Sequence, residues 1–443
     1  MVTRLVVLAA AFGLAFCFVG YQPEQIHLSY GDNLSELIVT WSTLNKTRTP
    51  VVEYAVQEKR GANKFNERAE GKTVVFTTHG FKKFKNKIKT QYVHSVKLTG
   101  LKPGKSYLYH VGSELGWSEV FFFETPPADQ SSWSPHVVVF GDMGNENPQS
   151  LPRLQQEVQK GMYDAILHIG DFAYDLDSDL GERGDQFMRQ IQSVAAYVPY
   201  MTCMGNHEER HNYSEYRNRF RMPGGEEGEF YYSFNLGPVH FISISTEVYY
   251  FTGYGLKLVV KQFNWLEKDL EEANLEKNRR LRPWIVVVGH RPMYCSNKKH
   301  RDCSDQTART RTGLPVGNWF GLENLLFKHR VDLAFWAHQH SYERLWPIYN
   351  YTVLNGSTEA PYTNPRAPVH ITTGSAGCKE KTSPFPDDKP SWSAFRSTDY
   401  GYTRLQPANH THLFVSQVSD TKGGAIIDSI WIIKEKNKLH FSP

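Results

Sequence analysis

Five short apolar runs in this chain each stop on side chains that bind cations or protons. HVVVF (136–140) runs into GDMGN and sets Asp142 just past a strand. DAILHI (164–169) runs into GDFAYD, which carries Asp171 and Tyr174. YVPYMTCM (197–204) leads into GNHEE with Asn206 and His207, PWIVVV (283–288) into GHRP with His290, and VDLAFW (331–336) into AHQHSYER with His338 and His340. Apolar runs this short, bounded by Gly or a turn, read as buried strands. Helical stretches alternate with them, as in LPRLQQEVQKG, KQFNWLEKDLEEANLEK and GLENLLFKHR. That alternation means an α/β domain whose strands are covered on both faces. Ligands of open α/β sheets bind beyond the carboxyl ends of the strands, so all five donor sets aim at one region.

Each piece alone has a bland reading. Gly-Asp after a strand is a turn, Tyr174 is packing, Asn206 suits a turn, and a buried histidine is a hydrogen-bonded core residue. The conjunction decides, because a structural core has no reason to end five strands this way. The set holds two carboxylates, a phenol, an amide and three imidazoles, with no thiolate. It excludes a structural Cys-type zinc site and favours harder or borderline ions. Seven groups are too many for one ion that keeps an open position. Two ions sharing a carboxylate fit better, and a pair about 3.5–4 Å apart suits phosphoryl hydrolysis. If the strand continues through AHQH, His338 and His340 share a face, since residues i and i+2 lie on one side. Asp171 and Tyr174 are three apart, and a tight turn can bring both to one centre.

The rest of the 443 residues is organised around that domain. Residues 1–20, MVTRLVVLAAAFGLAFCFVG, have one Arg before an apolar run and a small-residue end, which fits a secretory signal peptide. The run is short for the alternative, a transmembrane span, and the end KNKLHFSP has no hydrophobic tail for a lipid anchor. Residues 21–127 read as all-β, with SELIVTWST, PVVEYAVQ, KTVVFTT, YVHSVKLTG, KSYLYHVGS and EVFFFETPP as strands. LTGLKPGKSYLYHV looks like the tyrosine corner of a fibronectin type III-like sandwich. TPPADQSSWSPH (125–136) reads as a linker, and the catalytic unit as 136–434, closed by a hairpin of HLFVSQVSD and GGAIIDSIWIIKE. FKKFKNKIK (81–89) reads as a solvated hairpin whose lysines blunt an edge. A net charge of +4 is too mild to argue for nucleic acid.

An oxidising compartment follows from secretion. Cys203, Cys295, Cys303 and Cys378 remain after cleavage; Cys295 and Cys303 can close a local disulfide, and the other pairings stay open. Sequons begin at Asn33, Asn45, Asn212, Asn350, Asn355 and Asn409, so a glycoprotein of secreted or lysosomal destination is expected.

With these blocks in view, the chain resembles the purple acid phosphatases of the wider metallophosphoesterase class, in their large two-domain form. The match is carried by GD, GD-xx-Y, GNHE, GH and AH-x-H in this order, together with the β-rich N-terminal module and SYERLWP. AHQH departs from the pattern by an alanine where the class commonly has glycine. The resemblance implies a metallophosphoesterase-type β-sandwich flanked by helices, preceded by the fibronectin type III-like domain. It implies Fe(III) on Asp142, Tyr174 and His340, a divalent ion (Fe(II), Zn(II) or Mn(II)) on Asn206, His290 and His338, and Asp171 as the bridge. A hydroxide held at the metals, terminal or bridging, is the implied nucleophile toward phosphate monoesters of small molecules. His207 is expected near the bound phosphate. His207, or His300 of the loop RPMYCSNKKHRDC, is the candidate donor to the leaving alkoxide. The alternatives are a di-metal phosphodiesterase or nucleotide pyrophosphatase on the same scaffold, and a catalytically degenerate secreted binding glycoprotein.

Overall fold

A computed structural model describes residues 20–57, 64–80, 84–224, 230–298, 301–304, 307–315 and 317–435. Most of the expected signal peptide and His300 lie outside the described residues. The N-terminal part builds strands β1 (Glu24–Tyr30), β2 (Leu37–Thr43), β3 (Val51–Val56), β4 (Glu67–Glu70), β5 (Lys72–His79), β6 (Ile88–Leu98), β7 (Ser106–Ser113), β8 (Gly116–Trp117) and β9 (Phe121–Glu124). They form two sheets, ordered β1-β2-β6-β5 and β4-β3-β7-β8, with β9 on β7. The alternating inward residues Trp41, Val96, Tyr109, Val111 and Phe123 are buried between them. The corner expected around Tyr107 is present: its hydroxyl accepts the Lys102 N–H at 2.9 Å, and its ring stacks on Phe123.

The chain then crosses to strands β10 (Val137–Phe140), β11 (Ala165–Ile169) and β12 (Tyr200–Cys203), with helices α1 (Leu151–Gln159) and α2 (Glu182–Ala195) between them. The segment Arg210–Arg219 (α3) follows, and then β13 (Tyr232–Leu236), β14 (Val239–Ser243), α4 (Lys257–Asn274), β15 (Trp284–Val288), α5 (Leu322–Lys328) and β16 (Leu333–Trp336). The last strands are β17 (Tyr342–Leu345), β18 (Val369–Thr373), β19 (Ser393–Ser397), β20 (Gly401–Pro407), β21 (His412–Ser419) and β22 (Ala425–Ile433). One sheet runs β12-β11-β10-β20-β21-β22 and the other β13-β14-β15-β16-β18-β17-β19. Within them β10, β11 and β12 are mutually parallel, as are β14, β15, β16 and β18. Their inner faces share one core, including Val138, Phe140, Phe241, Val286, Phe335 and Ile371. A second core, with Leu266, Leu270, Val287 and Trp336, covers the outer face of the larger sheet with α4 and α5. The parallel strands therefore deliver their carboxyl ends to one edge of a two-sheet sandwich.

The N-terminal sandwich is not a loose appendage. Its core is continuous with that of the larger unit. The Ile26 N–H donates to Gln192 of α2 at 3.0 Å, the Tyr30 hydroxyl to the Asp164 carbonyl at 2.9 Å, and the Tyr109 hydroxyl to the Ala196 carbonyl at 2.6 Å. The basic stretch at 81–89 differs from expectation at one residue. Part of it lies outside the described residues, and Lys85 and Lys87 are exposed at the tip of the β5–β6 hairpin, as expected. Lys89 is not solvated: it pairs with Glu182 at 3.1 Å and with buried Asp185. Asp185 needs the charge because burial opposes its ionised form, and Arg219 and Lys89 overcome that and hold its carboxyl below the usual range. Arg219, itself 2 % exposed, also binds Glu215 at 3.0 Å and Gln25 at 3.2 Å. The linker is docked too, with the Gly237 N–H donating to Gln130 at 3.0 Å. Of the cysteine pairings left open, Cys295–Cys303 is the disulfide, and Cys203 and Cys378 are buried free thiols.

Arg219 thus joins the two units through a buried ion network. Arg219→Met leaves Asp185 and Glu215 buried with less charge to answer them, and is expected to cost about 3–5 kcal/mol of unfolding free energy. Urea denaturation followed by tryptophan fluorescence reads this, and an unshifted midpoint contradicts the account of the network.

Candidate metal centre

All seven candidate ligand side chains converge beyond the strand ends. The chain turns sharply there: Asp142, Asp171, Tyr174 and His338 all adopt left-handed backbone, with φ of 57°, 55°, 53° and 66°. Each such non-glycine residue costs on the order of 1–3 kcal/mol and persists where the surroundings over-determine it. The turn at His338 corrects the expectation for AHQH. Strand β16 stops at Trp336, so His338 and His340 do not share a strand face. The turn sends them to different partners.

His340 joins Asp142 and Tyr174. The Tyr174 hydroxyl lies 3.2 Å from Asp142 Oδ1 and 2.9 Å from His340 Nε2, and His340 Nε2 lies 3.4 Å from Asp142 Oδ1. His340 Nδ1 donates to the Lys381 carbonyl at 2.8 Å, which leaves Nε2 as the atom with the lone pair. His290 repeats the arrangement on the other side. Its Nδ1 donates to the Ile169 carbonyl at 2.9 Å, and its Nε2 faces Asp171 Oδ2 and Asn206 Oδ1, both at 3.2 Å. Asp171, His290 and His338 bring ligand atoms within 4.8 Å of one another. Around Tyr174 a single phenol proton stands against two acceptors, and around His290 a neutral Nε2 would face two oxygens, so each cluster is short of positive charge. These groups can therefore hold cations, with both imidazoles oriented from behind by a carbonyl.

The same demand appears as proton affinity. Burial works against charge on His290, but Asp171 and Asp142 outweigh it and raise its pKa to about 10. His340 is also raised well above the usual range, with burial opposing and Asp142 prevailing. Tyr174 is pushed up by burial first and by Asp142 and Asp171 next, so the phenol ionises only if a cation takes the place of its proton.

Close approach requires the glycines. A Cβ on Gly205 would lie 2.2 Å from Asp171 Oδ1. A Cβ on Gly141 would lie 2.3 Å from that of Ala337, so the alanine of AHQH is accommodated by a glycine across from it.

Several residues at the site carried no sequence expectation. Glu208 ties two strand ends together, accepting the Asp171 and Gly205 N–H groups at 2.9 Å and the Phe172 N–H at 3.0 Å. Asp175, the residue after Tyr174, accepts from His207 Nδ1 at 2.8 Å. The His207 ring lies 4.4 Å from the Tyr174 ring, and the His207 backbone N–H donates to Asp171 Oδ1 at 2.9 Å. Burial lowers the His207 pKa, but Asp171 and Asp175 more than reverse this and bring it to about 9. Asp302 and Arg291 lie against His338, at 2.7 and 3.0 Å from its Nε2. Glu208 and Asp175 sit inside the quoted motifs GNHEE and GDFAYD, so a signal was present; Asp302 had none beyond its polar loop.

Three family models match the chain: calcineurin-like phosphoesterase over residues 135–342, purple acid phosphatase N-terminal domain over 23–125, and iron/zinc purple acid phosphatase-like protein C over 367–429. The acid phosphatase type 7 of Danio rerio is 54% identical over 424 residues, covering 95% of this chain and 93% of the relative. Fe(3+)-Zn(2+) purple acid phosphatase 12 of Arabidopsis thaliana is 27% identical over 93% of this chain and 84% of its own. The solved structure of purple acid phosphatase PPD1 from yellow lupin (Lupinus luteus) seeds superposes with a TM-score of 0.78 at 25% identity, covering 95% of this chain and 76% of that one. The chain belongs to the purple acid phosphatase family and is a phosphoric monoester hydrolase.

Proposed function

We propose that the site hydrolyses phosphate monoesters at acid pH with iron and a divalent ion, each held by one of the two donor clusters. The observation that carries this is the shortage of protons among the acceptors crowded across Asp142–Tyr174–His340 and across Asp171–His290–Asn206. The donor chemistry separates the two positions. Asp142, Tyr174 and His340 offer a carboxylate, a phenol and an imidazole. A trivalent ion displaces the phenol proton most readily, so this cluster suits Fe(III). Asn206, His290 and His338 would ligate as neutral donors and suit a divalent ion. Zinc is the choice supported by the name of the Arabidopsis relative. Asp171 lies against His290 and would be the carboxylate shared between the two ions. When bound, the two ions supply Lewis acidity to the phosphoryl oxygens and acidify the attacking water.

The chain's own part is positioning and proton delivery. Asp175 holds His207 Nδ1–H, which fixes the tautomer and leaves Nε2 to carry the second proton. Tyr174 packs on the same ring and fixes its plane. A protonated Nε2 donates to the leaving alkoxide, so no alkoxide is released free. His300 lies outside the described residues, and His207 carries the proposed acid role. A secretory route is supported by the Cys295–Cys303 disulfide and by exposed sequon asparagines at Asn33, Asn45, Asn350 and Asn409. Among the described residues no helix is long and apolar enough to cross a membrane.

Metal analysis and hydrolysis of p-nitrophenyl phosphate test the reading together. The expected result is one iron and one divalent ion per chain, with activity at pH near 5 that disappears when a chelator strips the ions. A protein without iron and inactive at acid pH contradicts it. The role of His207 has its own signature. His207→Ala is expected to lower kcat on an alkyl phosphate by about 10²–10⁴-fold at unchanged metal content. The loss on p-nitrophenyl phosphate should be much smaller, because that leaving group needs no proton. Equal losses on both substrates would remove His207 as the acid.

A further inference from the structure

His338 is held differently from the other two candidate imidazole ligands. His290 and His340 each donate Nδ1–H to a backbone carbonyl and present Nε2. His338 turns Nε2 toward a carboxylate oxygen, Asp302 Oδ2 at 2.7 Å. A carboxylate only accepts, so Nε2 carries the proton and Nδ1 the lone pair. Arg291 Nη1 lies 3.0 Å from the same Nε2. A guanidinium only donates; left alone beside this ring it would donate to Nε2, drive the proton to Nδ1 and remove the lone pair. Asp302 Oδ2 prevents this by accepting from Arg291 Nη1 as well. Glu247 draws the other edge of the guanidinium away, accepting from Nε at 2.9 and 3.1 Å.

Asp302 does not come from a strand end. It stands one residue before Cys303, whose disulfide to Cys295 anchors the loop that follows β15 and His290. The Cys295 N–H donates to the Cys303 carbonyl at 3.2 Å, and the Tyr250 hydroxyl to the Asp302 carbonyl at 3.1 Å. Backbone and cross-link thus fix where the carboxylate stands.

We propose that Asp302, held in place by the Cys295–Cys303 disulfide, is a positioning residue that sets the tautomer of His338 and so the affinity for the divalent ion. The inference rests on His338 being a ligand of that ion, as proposed above. A carboxylate behind a ligating imidazole orients it and raises its basicity, and removing such a partner costs about 10–100-fold in metal affinity. The effect is confined to one ion. On the iron side, His340 takes its orientation from the Lys381 carbonyl, so the ferric position does not depend on Asp302.

The test loads full-length protein with ferric iron and titrates zinc against a competing chelator while recording the visible iron band. Wild type is compared with Asp302→Ala, Asp302→Asn and the double variant Cys295→Ser/Cys303→Ser. Asp302→Ala is expected to bind zinc about 10–100-fold more weakly with iron content and band unchanged. Asp302→Asn, which keeps a neutral acceptor, is expected between Ala and wild type, and the cysteine double variant shifts in the same direction. Unchanged zinc affinity in Asp302→Ala and Asp302→Asn overturns the inference, as does equal loss of iron and zinc, which marks general loosening. A wild type that binds iron but no second ion fails at an earlier point, contradicting the proposed function and the inference with it.

Discussion

Two buried clusters with more acceptors than protons are the constraint on which the rest of this structure depends. His290 Nε2 meets two oxygens at 3.2 Å, and the Tyr174 hydroxyl, Asp142 Oδ1 and His340 Nε2 crowd within 3.4 Å. Without positive charge such clusters repel, and burying them adds desolvation to the repulsion. Cations convert the same proximity into binding energy. The left-handed backbone at Asp142, Asp171, Tyr174 and His338 follows from this, since only sharp turns after the strands bring the groups so close.

The scaffold meets that demand by stiffness. Two sheets share a core that leaves the parallel strand ends little freedom, and Glu208 bonds to backbone N–H groups at the ends of two of them. The N-terminal sandwich extends the same core and reaches the larger unit through Lys89 on Asp185 and Gln25 on Arg219. Arg219 closes α3, the segment that begins just after His207 and Glu208. The β-rich unit therefore braces the helical segment nearest the proposed general acid.

The strand ends were legible because two independent signals coincide in them. Short apolar runs name the buried strands, and the donors beyond them are chemically conspicuous. The error at AHQH came from extending a period-two argument past the end of the strand. Trp336 ends β16, and His338 turns left-handed, so the two histidines separate. The solvated reading of FKKFKNKIK failed at Lys89 because its partner, Asp185, is about a hundred residues away and gives no local sign of needing a cation. Helix α2, which carries Asp185, carried no sequence expectation. It starts after a left-handed Gly181 in a charged stretch, and its buried Phe187, Met188, Ile191 and Val194 are spaced among polar residues. Asp175 and Glu208 were in plain view inside the motifs, but their roles are in hydrogen bonds to groups that only the fold brings near. Asp302 reaches His338 across thirty-six positions of sequence.

The central claim is that Tyr174 is an iron ligand rather than an aromatic packed beside one. The visible spectrum of the iron-loaded protein, wild type beside Tyr174→Phe, tests it most directly. A phenolate on ferric iron gives a charge-transfer band that colours the wild type purple. In Tyr174→Phe the band disappears while the iron remains. A colourless wild type with full iron, or a band that survives the substitution, contradicts the account.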